Sequence, residues 1–142
     1  MNKKYIFIIT LIILNASFFV VRAQEQLGLR ERAKKHYNQY EYFQAAQLLQ
    51  KLADVKKPVL SDLELLADCY FKMKNYELAE NWYSRVFNQP KSNTENLFKY
   101  GEVLKSNMKY NEAKQVFMQY VKLHGDKAHI ATEIAGCDSS LV

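Results

Sequence analysis

Few residues in this 142-residue chain have the types and spacing that catalysis or metal binding requires. The three histidines are His36, His124 and His129, and no serine or cysteine lies in a nucleophile motif such as Gly-x-Ser-x-Gly. His124 and His129 flank Gly125-Asp126, so Asp126 could join them around a metal. Their five-residue spacing does not place both rings on one helix face. We therefore interpret them as solvated helix-end histidines and predict no metal site.

Cofactor and nucleic-acid binding also find little support. The four glycines are scattered, so none belongs to a phosphate-binding loop. Nearly all of the ten tyrosines and eight phenylalanines fall on packing positions of a repeat rather than forming a base-stacking surface. We predict that the protein is not an enzyme and has no cofactor, no small-molecule substrate and no nucleic-acid partner.

The predicted helices recur along the sequence with a period of 34 residues. Each period contains two amphipathic helices, with an aromatic residue at the start of the second helix and small residues where the helices cross. Four positions show the period: Tyr42, Tyr76 and Tyr110; Ala45, Ala79 and Ala113; Leu49, Tyr83 and Phe117; Ala33, Ala67 and Gly101. The first helix is predicted from Leu27 to about Gln39, and Ser61 with Glu64 predicts a capping box at the start of the third helix.

This pattern resembles the tetratricopeptide repeat. The matching residues are Ala67, Tyr70, Tyr76, Ala79, Tyr83 and Val86 in the second unit, Gly101, Tyr110, Ala113 and Phe117 in the third, and Ala33, Tyr42, Ala45 and Leu49 in the first. The first unit departs from the pattern at His36, where tyrosine is usual. The resemblance implies an all-α, right-handed α-solenoid of three helix pairs (26–59, 60–93 and 94–127). Residues 128–142 would form a capping helix or the first helix of a truncated fourth repeat.

The N-terminal segment, residues 1–23, has the order of a secretory signal peptide. Lys3 and Lys4 precede an apolar run from Tyr5 to Val21, and Val21-Arg22-Ala23 suits cleavage after Ala23. An uncleaved membrane anchor is the alternative, because seventeen apolar residues approach the length of a membrane span. Cleavage would remove three cations and lower the formal charge from +5 to +2, which is ordinary for a soluble domain.

The two cysteines, Cys69 and Cys137, lie two whole periods apart. They therefore occupy equivalent positions on first helices two repeats apart, roughly 20 Å from each other if neighbouring helix axes pack about 8–10 Å apart. A disulfide requires Cα atoms within about 7 Å. The sequence predicts two separate, semi-buried thiols.

A narrower resemblance concerns the cellular setting. The signal segment with its two following repeat units is similar to the N-terminal region of exported OmpA-family proteins of Bacteroidota-type bacteria, some of which belong to type IX secretion machinery. In those proteins the repeats precede a β-propeller and a peptidoglycan-binding domain, both absent here. The resemblance implies a periplasmic, outer-membrane-associated scaffold or a truncated part of one.

The tetratricopeptide resemblance also implies a binding surface, the concave face lined by first helices. Phe71 and Phe98 are predicted to be exposed aromatic anchors in a polar rim. Asp68 and Glu102 stand where chaperone-binding relatives have asparagine, which argues against their carboxylate clamp. The repeat register places eleven residues on this face: Arg30, Lys34, Tyr37, Asn38, Glu64, Asp68, Phe71, Lys72, Phe98, Glu102 and Lys105.

Two functions are compatible with these features. The first is a non-enzymatic periplasmic adaptor that binds a protein partner through the concave face, in or near an outer-membrane assembly. The second is a structural spacer whose groove is empty.

Overall fold

The computed structural model describes residues 3–90, 92–125 and 128–141. This part of the chain contains α-helices and no strand. The helices are α1 (Lys3–Asn38), α2 (Tyr42–Ala53), α3 (Leu60–Lys72), α4 (Tyr76–Phe87), α5 (Glu95–Ser106), α6 (Tyr110–His124) and α7 (Ala128–Ser139).

Consecutive helices pack against each other along the whole chain. The pairs α1/α2, α3/α4 and α5/α6 are joined by short turns and stack as a right-handed α-solenoid, and α7 packs on α6. This confirms the predicted fold class. The first helices of the pairs, α1, α3 and α5, line one face and position the site described below.

The turns inside the three pairs share one geometry. Tyr40, Lys74 and Met108 have φ values of 63°, 57° and 61°. In the second pair, the amide of Asn75 donates to the carbonyl of Tyr70 at 3.0 Å. The amide of Lys74 donates to the carbonyl of Phe71 at 2.9 Å. This is a Schellman motif, which ends each first helix and starts the second two residues later.

The small-residue positions lie where the paired helices cross. Ala33 and Ala67 are fully buried, and a methyl group added to Gly101 would lie 2.5 Å from the Phe117 ring. The glycine is needed because Phe117 is itself fully buried and occupies the space of a Cβ. The buried side chains form two clusters, one mainly in the first two helix pairs and one in the third pair with α7. Tyr100 packs against both clusters and connects them.

Two predicted helix starts are wrong. Helix α1 has no break at Leu27 and runs from Lys3 to Asn38, and its sequence contains no proline that would interrupt it. Helix α3 begins at Leu60 after the extended residue Val59, so Ser61 lies within the first turn and does not cap it.

The N-terminal half of α1 stands apart from the solenoid. Every side chain described between residues 4 and 25 is exposed, and this helix is long and apolar enough to cross a membrane by length and composition. At about 1.5 Å per residue, its 36 residues extend about 54 Å. Residues 24–142 therefore contain the complete described core.

The cysteine prediction is confirmed in its main point. Cys69 and Cys137 are free thiols, and both are fully buried rather than semi-buried. Burial and then the nearby charge of Asp68 raise the pKa of Cys69 to about 12. Such a thiol stays protonated and unreactive at neutral pH.

Two glycine-to-alanine changes should have opposite effects on stability. Gly101→Ala should lower the free energy of unfolding by about 1–3 kcal/mol, because its methyl group overpacks against the buried Phe117 ring. Gly28→Ala is the control, since no atom lies within 4 Å of the added methyl group. It should raise stability by about 0.5–1 kcal/mol through helix propensity. Urea unfolding of residues 24–142 measures both, and an equal gain in the two variants would contradict the packing.

Candidate functional site

The first helices of the three pairs enclose a groove of about 400 Å³. Side chains from α1, α3 and α5 line it, together with one residue preceding α5. They are Lys34, Tyr37, Asn38, Ser61, Glu64, Leu65, Asp68, Asn93, Asn96 and Lys99. Most of the lining side chains are polar, but about half of the surface they expose is apolar, and Leu65 and the Tyr37 ring contribute to it.

The floor of the groove is organised around Asp68, which is only 5% exposed. Its carboxylate accepts hydrogen bonds from the Tyr37 hydroxyl on α1 and from the Lys99 ammonium on α5, and the Tyr83 hydroxyl on α4 lies 3.5 Å away. Burial, followed by the hydrogen bond to Asp68, raises the pKa of Tyr37. One buried carboxylate thus connects all three helix pairs.

Two further polar contacts join neighbouring repeats on the same face. Arg30 binds Asp62 through two parallel hydrogen bonds of 2.7 and 2.6 Å, and Asp62 is 2% exposed. Glu64 accepts from the backbone amide of Asn93 at 2.8 Å and from the side-chain amide of Asn96 at 2.9 Å. The first contact joins α1 to α3, and the second joins α3 to α5.

A second depression of about 330 Å³ lies between α5 and α7. Lys105 forms an ion pair with Glu133 at 2.7 Å across it. Glu102 is half-buried beside this pair, and burial followed by repulsion from Glu133 raises the pKa of its carboxyl. The depression is lined by Glu102, Lys105, Ser106, Tyr110, Glu133 and Ser140.

The eleven residues predicted for the concave face divide into four groups. Lys34, Tyr37, Asn38, Glu64 and Asp68 line the groove, and Glu102 and Lys105 line the second depression. Arg30 is engaged with Asp62, and Lys72 is exposed outside both surfaces.

Phe71 and Phe98 form the last group; they were predicted to lean toward exposure, and the structure leaves both half-buried and outside the groove lining. Phe71 is half-buried with its ring edge-on to Tyr76 and Tyr83. Phe98 packs between helices against Phe117, Tyr120 and His129. Both rings pack against neighbouring aromatic side chains, which removes part of their apolar surface from water. Neither lines the groove, so changing them to serine would mainly test packing.

Five residues that line the groove were not in the prediction: Ser61, Leu65, Asn93, Asn96 and Lys99. Leu65 and Lys99 occupy equivalent positions one period apart. Lys99 was missed because the cross-repeat partners Tyr37–Asp68 and Asp68–Lys99 are 31 residues apart, a spacing that the 34-residue period does not predict.

The histidines at the α6–α7 junction contact protein groups. The Nε2 atom of His124 lies 2.9 Å from the Thr94 hydroxyl, and its Nδ1 atom lies 3.2 Å from the Tyr120 carbonyl oxygen. His129 contacts the Phe98 ring edge-on. Among the described residues, no group of three or more histidine, cysteine or acidic side chains is arranged to hold a metal, and Asp126 lies outside the described residues.

Comparison of the sequence with family models identifies the type of repeat. Residues 63–89 and residues 95–126 each match a model described as a tetratricopeptide repeat. The chain contains tetratricopeptide repeats. Curated protein sequences show no match to it.

Several solved tetratricopeptide domains have the same fold. The first TPR of Spaghetti (RPAP3) bound to an HSP90 peptide superimposes with a TM-score of 0.70 at 22% identity, covering 83% of this chain and 94% of that chain. The second TPR domain of human RPAP3 in complex with an HSP70 peptide gives 0.68 at 20% identity, covering 82% and 97%. The C-terminal domain of a Plasmodium falciparum putative FK506-binding protein gives 0.68 at 20% identity, covering 83% and 89%. At these identities the likeness establishes the fold.

Replacing Asp68 by asparagine should destabilise the solenoid. Asp68→Asn removes the negative charge that binds the Lys99 ammonium and weakens the hydrogen bond from Tyr37, so we expect a loss of about 1–3 kcal/mol. Asp54→Asn is the control, because Asp54 is exposed at the end of α2. Urea unfolding measures both variants. Equal stability of the two would show that the buried carboxylate does not hold the repeats together.

Proposed function

We propose that this chain is an exported, non-enzymatic scaffold whose groove binds an extended segment of a protein partner. The observation that carries the proposal is the groove itself, which spans three helix pairs and is held in shape by the buried contacts of Asp68. Leu65 and Tyr37 offer apolar contact, and Asn38 and Lys34 offer hydrogen-bond donors to a ligand. A preformed groove reduces the entropy lost on binding.

The structural neighbours support this mode of binding. One was solved with the HSP90 peptide SRMEEVD and another with the HSP70 peptide SGPTIEEVD. The present chain has Asp68 and Glu102 where a carboxylate clamp would have asparagine, so we do not propose these peptides as its ligands. What carries over is the use of the concave face for an extended peptide.

We also propose that the protein is exported and works in the periplasm, in peripheral association with an outer-membrane assembly. The N-terminal sequence supports export and cleavage. Two lysines, Lys3 and Lys4, precede an apolar run from Tyr5 to Val21, and the small residue Ala23 lies at the cleavage site. The outer-membrane setting is what the resemblance of the N-terminal region to exported OmpA-family proteins implies.

The exported form should begin at Gln24. Expression of the full chain in a Gram-negative host, followed by fractionation and N-terminal sequencing, should give a periplasmic product lacking residues 1–23. Ala23→Leu should block processing, because the cleavage site requires a small residue. A wild-type product that keeps its N-terminus in the membrane fraction would establish the anchor alternative instead.

A structural spacer is the second candidate. It is favoured by the number of charges on this face that are already satisfied within the chain, such as Arg30 by Asp62 and Lys99 by Asp68. Side chains used in this way stabilise repeat stacking whether or not a ligand binds.

A matched pair of leucine-to-arginine changes should distinguish a groove from a spacer. A library of random twelve-residue peptides is selected on residues 24–142, and the affinities of enriched peptides are measured by fluorescence anisotropy. Leu65→Arg should weaken binding by about tenfold or more, because it puts a long charged side chain in the groove. Leu78→Arg, at an exposed position on α4, should leave it within about twofold.

Thermal unfolding of both variants controls for loss of fold. Enrichment of peptides that bind both variants equally would place the interface outside the groove. A selection that enriches no peptide would contradict the scaffold function and favour the spacer.

A further inference from the structure

Cleavage after Ala23 makes Gln24 the first residue of the exported chain, and this inference rests on that part of the proposed function. A glutamine at a free N-terminus can react with itself, because its α-amine reaches its own side-chain amide and closes a lactam ring. The surroundings of Gln24 therefore decide whether the new N-terminus is free to react.

The chain around Gln24 is accessible on both sides of the cleaved bond. Residues 20–25 are all exposed, and the Gln24 side chain forms no hydrogen bond within the described part of the chain. Among the described residues of α1, Leu29 is the first whose side chain packs against the hydrophobic core. The new N-terminus therefore lies outside the packed part of the solenoid, and its amine and side chain are free to meet.

The reaction exchanges one amide for another within a single residue. The uncharged α-amine nitrogen attacks the side-chain carbonyl carbon Cδ, an N–Cδ bond forms, and the Cδ–Nε2 bond breaks. The Nε2 nitrogen takes a proton from the attacking amine and leaves as ammonia, so no oxidant, reductant or co-reactant is consumed. An α-amine has an ordinary pKa of about 7.7–8.0, so part of it is uncharged near neutral pH.

The start of a helix favours the neutral product. The first turn of a helix has unpaired backbone N–H groups and a partial positive charge, so a charged amine is unfavourable there. Glu25, which follows Gln24, is a side chain that such a helix end favours. Ring closure removes the terminal cation, as other N-terminal blocking groups do.

We propose that Gln24 is a modification site and that the exported chain carries pyroglutamate at its N-terminus. The lactam has no free amine, so an aminopeptidase has no terminus at which to begin. From this end α1 continues to Arg30, which binds Asp62, and to Lys34 and Tyr37 in the groove. The blocked terminus therefore protects the helix that forms one wall of the groove.

Intact mass spectrometry of the exported protein tests the modification. The full chain is expressed in a Gram-negative host, and the mass of the periplasmic product is measured on isolation and during incubation at neutral pH. The wild-type product should reach the mass of residues 24–142 less one ammonia, and isoelectric focusing should show the loss of one positive charge. Edman sequencing should succeed only after pyroglutamyl peptidase has removed the lactam, and it should then begin at Glu25.

Gln24→Asn is the matched variant. It keeps a side-chain amide at the terminus, but ring closure would require a smaller, strained lactam. Its product should keep its full mass and should be shortened by a broad-specificity aminopeptidase that leaves the wild-type product intact. Gln26→Ala is the control, because it removes a glutamine that is not at the terminus, and it should lose ammonia and resist the aminopeptidase as the wild type does.

The possible outcomes separate this inference from the proposed export. A wild-type product that begins at Gln24 and keeps its full mass throughout incubation would overturn the modification and leave cleavage standing. An equal loss of ammonia from Gln24→Asn would place the reaction at another residue and would also overturn it. A product that retains residues 1–23 would overturn both proposals.

Discussion

The solenoid depends on the buried carboxylate of Asp68. A charged group that is 5% exposed is costly unless hydrogen-bond donors replace the water it has lost. Here the donors come from helices of three different pairs: Tyr37 on α1, Tyr83 on α4 and Lys99 on α5. Removing any one of these helices from its place would leave the carboxylate with fewer donors. The carboxylate therefore fixes the spacing of the repeats, and the groove has a defined shape before any ligand binds.

The two sides of each first helix make different kinds of contact. Aromatic rings such as Phe71 and Phe98, both half-buried, pack against other rings between the helices. Polar and charged groups cross between repeats on the concave face. The proposed binding specificity therefore rests on the charges and amides of the concave face, while these polar contacts and the aromatic layers both contribute to stability.

The shared fold leaves the choice of ligand open, because different side chains can be placed on the same repeat positions. The peptide-bound neighbours and this chain differ in sequence at about four positions in five. Under the proposed function, the substitutions that decide the ligand are those on the concave face. Lys34, Asp68 and Glu102 occupy one repeat position in successive units, and their charges change from positive to negative along the solenoid.

The sequence by itself determined the repeat period, the order of the helices and the small residues at their crossings. A 34-residue period assigns each residue to a position, and a two-period separation was enough to show that Cys69 and Cys137 could not meet. Only the tertiary structure decided which partners these positions find. Two partners of Asp68 lie 31 residues away, one on each side, and Arg30–Asp62 and Glu64–Asn96 are 32 residues apart. Side chains on adjacent first helices therefore meet two or three residues out of the repeat register. Phe71 and Phe98 were misplaced for a related reason: a position at the border of the groove is exposed or buried according to the rings on neighbouring helices, which periodicity does not describe.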